Sequence, residues 1–220
     1  IPAAGFSGNV TISYTATTNT GAVKTGTITM AVKSKTASTL FNDVTEGNTG
    51  SWSANAVDYC ATWDLVSGTG TYSFSPAATM NRAMLVSILY SAAGKPAVSG
   101  GTKFKDVKSS DYFYNAVIWA SANGIVSGMS ATSFAPASPV TREQIAVFLY
   151  KYAVYSGSGV SATTNLSGYT DSGKISSYAV TAMKWAVASG IISGTSATTL
   201  GPRNTTTRAQ VVVMLHSYLT

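Results

Sequence analysis

The chain has 220 residues, 45% of them apolar and 10% charged, which supplies a substantial core and excludes a disordered, self-repelling chain. The net charge is +6, but the densest basic group, Lys103, Lys105 and Lys108, is interrupted by Asp106. A nucleic-acid surface calls for a continuous basic stripe, so an acidic polysaccharide is the better-fitting anionic partner. Cys60 stands alone, so no intrachain disulfide is possible, and no apolar run approaches the ~20 residues of a membrane span. Ile1 is not an initiator methionine and no leader is visible, as expected of a processed or excised piece.

In chain order, the first expected element is a β-hairpin within residues 1–36. Val10-Thr-Ile-Ser-Tyr-Thr and Gly26-Thr-Ile-Thr-Met-Ala-Val alternate apolar and polar side chains, with the turn formers Asn19 and Gly21 between them. Two strands alone are marginal in water. This segment resembles the last strands of a bacterial immunoglobulin-like module.

From residue 40 onward the chain repeats a pattern three times, over 40–94, 103–156 and 168–220. Trp52, Tyr112 and Tyr178 stand 60 and then 66 residues apart. The same shifts superpose Tyr59, Trp119 and Trp185; Gly68, Gly128 and Gly194; Pro76, Pro136 and Pro202; and Arg82, Arg142 and Arg208. Phe41-Asn-Asp-Val, Phe104-Lys-Asp-Val and Tyr169-Thr-Asp-Ser align upstream. Each unit therefore reads as aromatic-x-Asp, first helix, glycine loop, proline turn, capped arginine and second helix. Ala56, Val57, Tyr59, Cys60 and Trp63 show helical spacing in the first unit, as do Ile145, Ala146, Phe148, Leu149 and Tyr152 in a second helix. One unit cannot bury its apolar stripe alone, so three should pack together.

The arginines are the unusual feature. Thr141 with Gln144 and Thr207 with Gln210 form capping boxes, while Asn81 caps without one, since Met84 replaces the Gln. A cation in the first turn opposes the helix dipole by ~0.3–1 kcal/mol. Two arrangements compensate: each Arg pairs with Asp43, Asp106 or Asp171, or the guanidinium and the helix N-terminus together attract an anion. The Asp residues also read as turn or cap formers. Gly68, Gly128 and Gly194 are expected to supply positive φ in tight loops, and Tyr59, Trp119 and Trp185 read most simply as core. His216, the single histidine, aligns with Tyr90 and Tyr150 and reads as a packing residue. Glu46 and Glu143 are the only glutamates, and neither makes a repeated carboxylate pair. No enzyme, metal site or cofactor is expected.

The ordered recurrence of Phe-x-Asp-Val, Gly-Ile-Val-Ser-Gly, Phe-x-Pro and Thr-Arg-Glu-Gln over residues 40–220 resembles the S-layer homology domain, commonly found as a tandem set of three. The resemblance implies a mostly α, pseudo-threefold helical domain that anchors an extracellular protein to bacterial cell-wall glycopolymers. The family's best-known ligand is an accessory polymer carrying a pyruvylated amino sugar. It also implies a groove containing Arg82, Arg142 and Arg208, Asp43, Asp106 and Asp171, Gly68, Gly128 and Gly194, with Tyr59, Trp119 and Trp185 as its wall. A lattice subunit contacting other S-layer chains, or a peptidoglycan binder, are the competing readings. Repeat 1 departs at Asn81, Met84 and Asp64, and repeat 3 at Leu200 and Ser172, so unequal grooves are expected, those relying on repeat 1 most affected.

Overall fold

The computed structural model describes residues 8–32, 38–45 and 52–220. The expected hairpin forms from β1 (Gly8–Thr17) and β2 (Val23–Val32), antiparallel with Ile12 opposite Ile28. Its turn closes through Thr18 N–H to the Ala22 carbonyl at 2.9 Å, with Gly21 at φ 82°. The Thr11–Thr29, Ser13–Thr27 and Thr15–Thr25 pairs share one side, while Ile12, Tyr14 and Ile28 lie exposed on the other. Residues 1–7 and 33–36 of the expected hairpin segment, and Glu46, lie outside the described residues.

Among the described residues six α-helices follow: α1 (Ala54–Thr62), α2 (Arg82–Ala92), α3 (Tyr114–Ala122), α4 (Arg142–Tyr155), α5 (Val180–Ala188) and α6 (Arg208–Leu219). Two single 3₁₀ turns, Ser172–Lys174 and Ser177–Ala179, lead into α5. Each second helix starts at its arginine because the preceding residue caps it. Asn81 Oδ1 accepts from Met84 N–H at 2.8 Å, and Thr141 with Gln144 and Thr207 with Gln210 form complete capping boxes. Burial follows an identical sequence over the first ten positions of the three caps and helices, Asn81–Tyr90, Thr141–Tyr150 and Thr207–His216.

The repeats close by exchange. The second helix of each packs on the first helix of the next: α2 on α3, α4 on α5, and α6 back on α1. A single apolar core, with Phe74, Phe104 and Phe134 fully buried, runs through all three units. At the centre, Met80 N–H bonds Thr206 O at 2.9 Å, Val140 N–H bonds Met80 O at 3.1 Å, and Thr206 N–H bonds Val140 O at 3.1 Å. These three bonds form a closed cycle, which is the pseudo-threefold arrangement expressed in backbone hydrogen bonds. No helix among the described residues is long and apolar enough to cross a membrane.

Candidate ligand-binding grooves

The three arginines are 4–6% exposed, and each reaches from its own repeat into the glycine loop of the next. Arg82 Nε donates to Phe134 O at 2.8 Å and Nη2 to Ser127 O at 2.6 Å. Arg208 repeats this on Phe74 O at 2.8 Å and Ser67 O at 2.7 Å, closing the circle. Arg142 Nε bonds Leu200 O at 2.7 Å, and its Nη2 bonds Ser193 O. The Arg82 guanidinium also lies 4.6 Å from the Phe134 ring centre and that of Arg208 4.4 Å from Phe74. Arg142 meets Leu200 at the corresponding place and has no such ring.

This arrangement corrects two expectations. The arginines do not ion-pair with the Asp residues; they fasten one repeat to the next through carbonyls. Nor are the helix N-termini open anion sites. The N–H groups of Arg82, Arg142 and Arg208 bond Ser138 O, Asn204 O and Ala78 O, and those of Ala83, Glu143 and Ala209 bond Pro136 O, Pro202 O and Pro76 O, all at 2.8–3.0 Å. Burial pushes each guanidinium's pKa below its ordinary value. Asp106 offsets part of that for Arg82 and Asp171 for Arg142, while at Arg208 Tyr112 does so first and Asp43 second.

The Asp side chains instead staple the loop of their own repeat. Asp43 accepts from Phe74 N–H (2.8 Å), Ser75 N–H (2.7 Å) and Ser73 Oγ–H (2.7 Å). Asp106 repeats all three bonds on Ser133, Phe134 and Ala135, and Asp171 accepts from Leu200 and Gly201 N–H. Desolvation alone would raise these carboxyls; the loop N–H groups outweigh it and hold all three below the ordinary value. The loop thus presents its carbonyls to the arginine and its N–H groups to the Asp.

Gly68, Gly128 and Gly194 are not at positive φ; that conformation falls at Asp64, Gly124 and Gly190, and at Ser75, Ala135 and Gly201. Their requirement is space. A Cβ on Gly68 would sit 2.7 Å from Ser73 O, one on Gly128 would sit 2.6 Å from Ser133 O, and one on Gly194 would collide with Ser196 O.

Tyr59, Trp119 and Trp185 do not wall a groove. Trp119 and Trp185 are 3% and 2% exposed, and each meets the second helix of the preceding repeat: Tyr90 packs on Trp119 and Tyr150 on Trp185 at 5.5 Å, and His216 on Tyr59 at 4.8 Å. These are the core contacts through which α2, α4 and α6 grip α3, α5 and α1. The other repeated aromatic set is the exposed one: Trp52, Tyr112 and Tyr178 are 53%, 71% and 60% exposed.

Three equivalent grooves result, each drawing on all three repeats. The groove on repeat 2, about 400 Å³, is lined by the Gly128 loop, Gln144 and Lys151, with Arg82 from repeat 1 and Tyr178 from repeat 3. That on repeat 3, about 370 Å³, is lined by the Gly194 loop and Gln210, with Arg142 from repeat 2 and Trp52 from repeat 1. That on repeat 1, about 380 Å³, is lined by the Gly68 loop and Met84, with Arg208 from repeat 3 and Tyr112 from repeat 2. In every one the arginine Nη1 makes no bond to the described residues, and no buried polar side-chain atom among them lacks a partner, so Nη1 is open to the groove. Asp64 and Lys95 pair across the repeat 1 groove at 2.7 Å. Cys60 is fully buried, with its thiol pushed up to about 12 by desolvation, and takes no part.

The fold is thus a ring of three helix pairs, with an arginine and an exposed aromatic lining each inter-repeat cleft. The chain belongs to the S-layer homology domain family, whose pattern matches residues 41–83, 103–146 and 168–212. The family is that of a non-catalytic module for anchoring at the bacterial cell wall. The chain is 33% identical over 153 residues to the "Surface-layer 125 kDa protein" of Lysinibacillus sphaericus, covering 68% of this chain and 12% of that protein. It is 28% identical over 187 residues to an endoglucanase of Bacillus sp. (strain KSM-635), 85% of this chain and 19% of that enzyme. It is 25% identical over 183 residues to an amylopullulanase of Thermoanaerobacterium thermosulfurigenes, 81% of this chain and 9% of that one. The chain thus spans less than a fifth of the length of each of these relatives.

Proposed function

We propose that this chain tethers the polypeptide carrying it to the cell wall by holding an anionic accessory polysaccharide, of the pyruvylated kind, in the grooves between repeats. The observation that carries this reading is the unengaged Nη1 of each nearly buried guanidinium, set in a groove with an exposed aromatic. The two carbonyls fix the guanidinium plane, so its remaining N–H groups are preset for a carboxylate, and little side-chain entropy is lost on binding. Trp52, Tyr112 and Tyr178 offer flat apolar faces for a sugar ring. The glycine in each loop permits the close packing of loop carbonyls that keeps this edge of the groove in shape. The Asp carboxylates act one step back, holding the loop that the arginine and the ligand both use.

The test is sedimentation of the purified chain with cell walls before and after extraction of accessory polymers, with duplex DNA as competitor. Binding is expected to vanish with the polymer and to resist DNA. Retained binding to stripped walls would identify peptidoglycan as ligand instead, and equal competition by DNA would reduce the effect to basicity.

A further inference from the structure

We propose that the groove on repeat 2 is the dominant site of the three, and that Lys151 and Glu143 make it so; this rests on the reading that an anionic saccharide occupies the grooves. The arginine is common to all three, so any preference must come from what surrounds it. On α4, Gln144, Val147, Phe148 and Lys151 fall at helical three- and four-residue spacing and line one wall, which brings a second cation into the same cleft as Arg82. Lys151 is half-buried and has no ion-pair partner among the described residues. The equivalent of Lys151 is Ser91 in the repeat 1 groove and Ser217 on α6. In the repeat 1 groove the added cation, Lys95, is already paired with Asp64. Among the described residues, Arg142 is the single charged residue that lines the repeat 3 groove.

The aromatic wall differs too. Glu143, 4% exposed, accepts from Ser176 N–H at 2.9 Å, Ser176 Oγ–H at 2.8 Å and Tyr178 Oη–H at 3.3 Å. Its equivalents are Ala83 and Ala209, so at those positions no carboxylate stands to hold Tyr112 or Trp52. Glu143 does not line the groove, so it fixes the ring without placing its charge against the ligand. The repeat 2 groove therefore offers a second cation and a preset ring, and a preset site loses less on binding.

The test is an amide NMR titration with the methyl glycoside of a pyruvate-ketal N-acetylhexosamine, using Gly68, Gly128 and Gly194 as one reporter per groove. Gly128 is expected to reach half-shift at about tenfold lower ligand concentration than Gly194, as for one added charged hydrogen bond. Lys151→Gln and Glu143→Gln should each narrow the gap, and the double variant should bring the two together. Equal midpoints in the unaltered chain, or a Gly128 lead undiminished by Lys151→Gln, would overturn the proposal while leaving groove binding intact. Shifts at none of the three glycines would instead remove the groove reading, and this inference with it.

Discussion

Replacing Arg208 by Ala removes two guanidinium–carbonyl hydrogen bonds across the junction that closes repeat 3 onto repeat 1. Bonds to a charged group contribute about 1.5–3 kcal/mol each, so the pair amounts to roughly 3–6 kcal/mol. Loss of the Phe74 ring contact, at 4.4 Å, adds about 1 kcal/mol. Removing a cation from the first turn of α6 returns about 0.3–1 kcal/mol. The net expectation is roughly 3–7 kcal/mol, a large part of the ~5–15 kcal/mol typical of a folded domain. Arg142→Ala, which faces Leu200 rather than a ring, should cost about 1 kcal/mol less. Urea unfolding of both variants, followed by circular dichroism, reads these values, and Arg208→Lys and Arg142→Lys supply milder steps if the alanine variants do not fold. A cost below about 1 kcal/mol for Arg208→Ala, or a larger cost at Arg142, would refute the fastening role.

Other outcomes follow from the same geometry. Asp43, Asp106 and Asp171 have folded-state pKa values below their ordinary ones, so their stabilisation is full above the ordinary carboxylate value and is lost as pH falls through the folded values. Melting temperature should therefore drop steeply below about pH 4, and Asp106→Asn should blunt that drop. Gly128→Ala should destabilise by roughly 1–3 kcal/mol through overpacking, whereas Gly173→Ala, with open space around it, should be near neutral in the same melt. Burial against Tyr59 lowers the pKa of His216, so its contribution is present above about pH 6.5 and lost as pH falls through that value toward the folded one. His216→Tyr, matching Tyr90 and Tyr150, should remove that dependence, as a melting series from pH 5 to 8 would show.

The repeat, the helix starts and the caps were legible because each is a local pattern: Thr141 and Gln144, three positions apart, suffice to declare a helix start. What Arg142 touches was not legible, since Leu200 O and Ser193 O lie more than 50 positions away in the next repeat. The Asp roles were hidden for the same reason: Asp106 reads as a cap before α3, while its partners are 27 to 29 residues on. Gly128 follows a glycine-permitted turn in sequence, but its constraint is the closeness of Ser130 and Ser133 backbone, which only the folded loop creates. Two aromatic sets recur; the residues themselves read Tyr59, Trp119 and Trp185 as core, as the structure has them, and the family resemblance pointed to them for the groove wall. Trp119 and Trp185, flanked by Ala, Val and Ile on a helix face, carry the mark of core. Trp52, between two serines, carries the mark of an exposed ring and was the signal available for the groove wall.

The central claim is that the grooves, not general basicity or fold integrity, hold the wall polymer. The most direct measurement is wall binding and melting temperature, side by side, for the chain with Trp52, Tyr112 and Tyr178 all replaced by Ala. These rings are 53–71% exposed, so the melting temperature should change little while binding to unextracted walls falls at least tenfold, about 1.4 kcal/mol. Undiminished binding by a triple variant with an unchanged melting temperature would contradict the account.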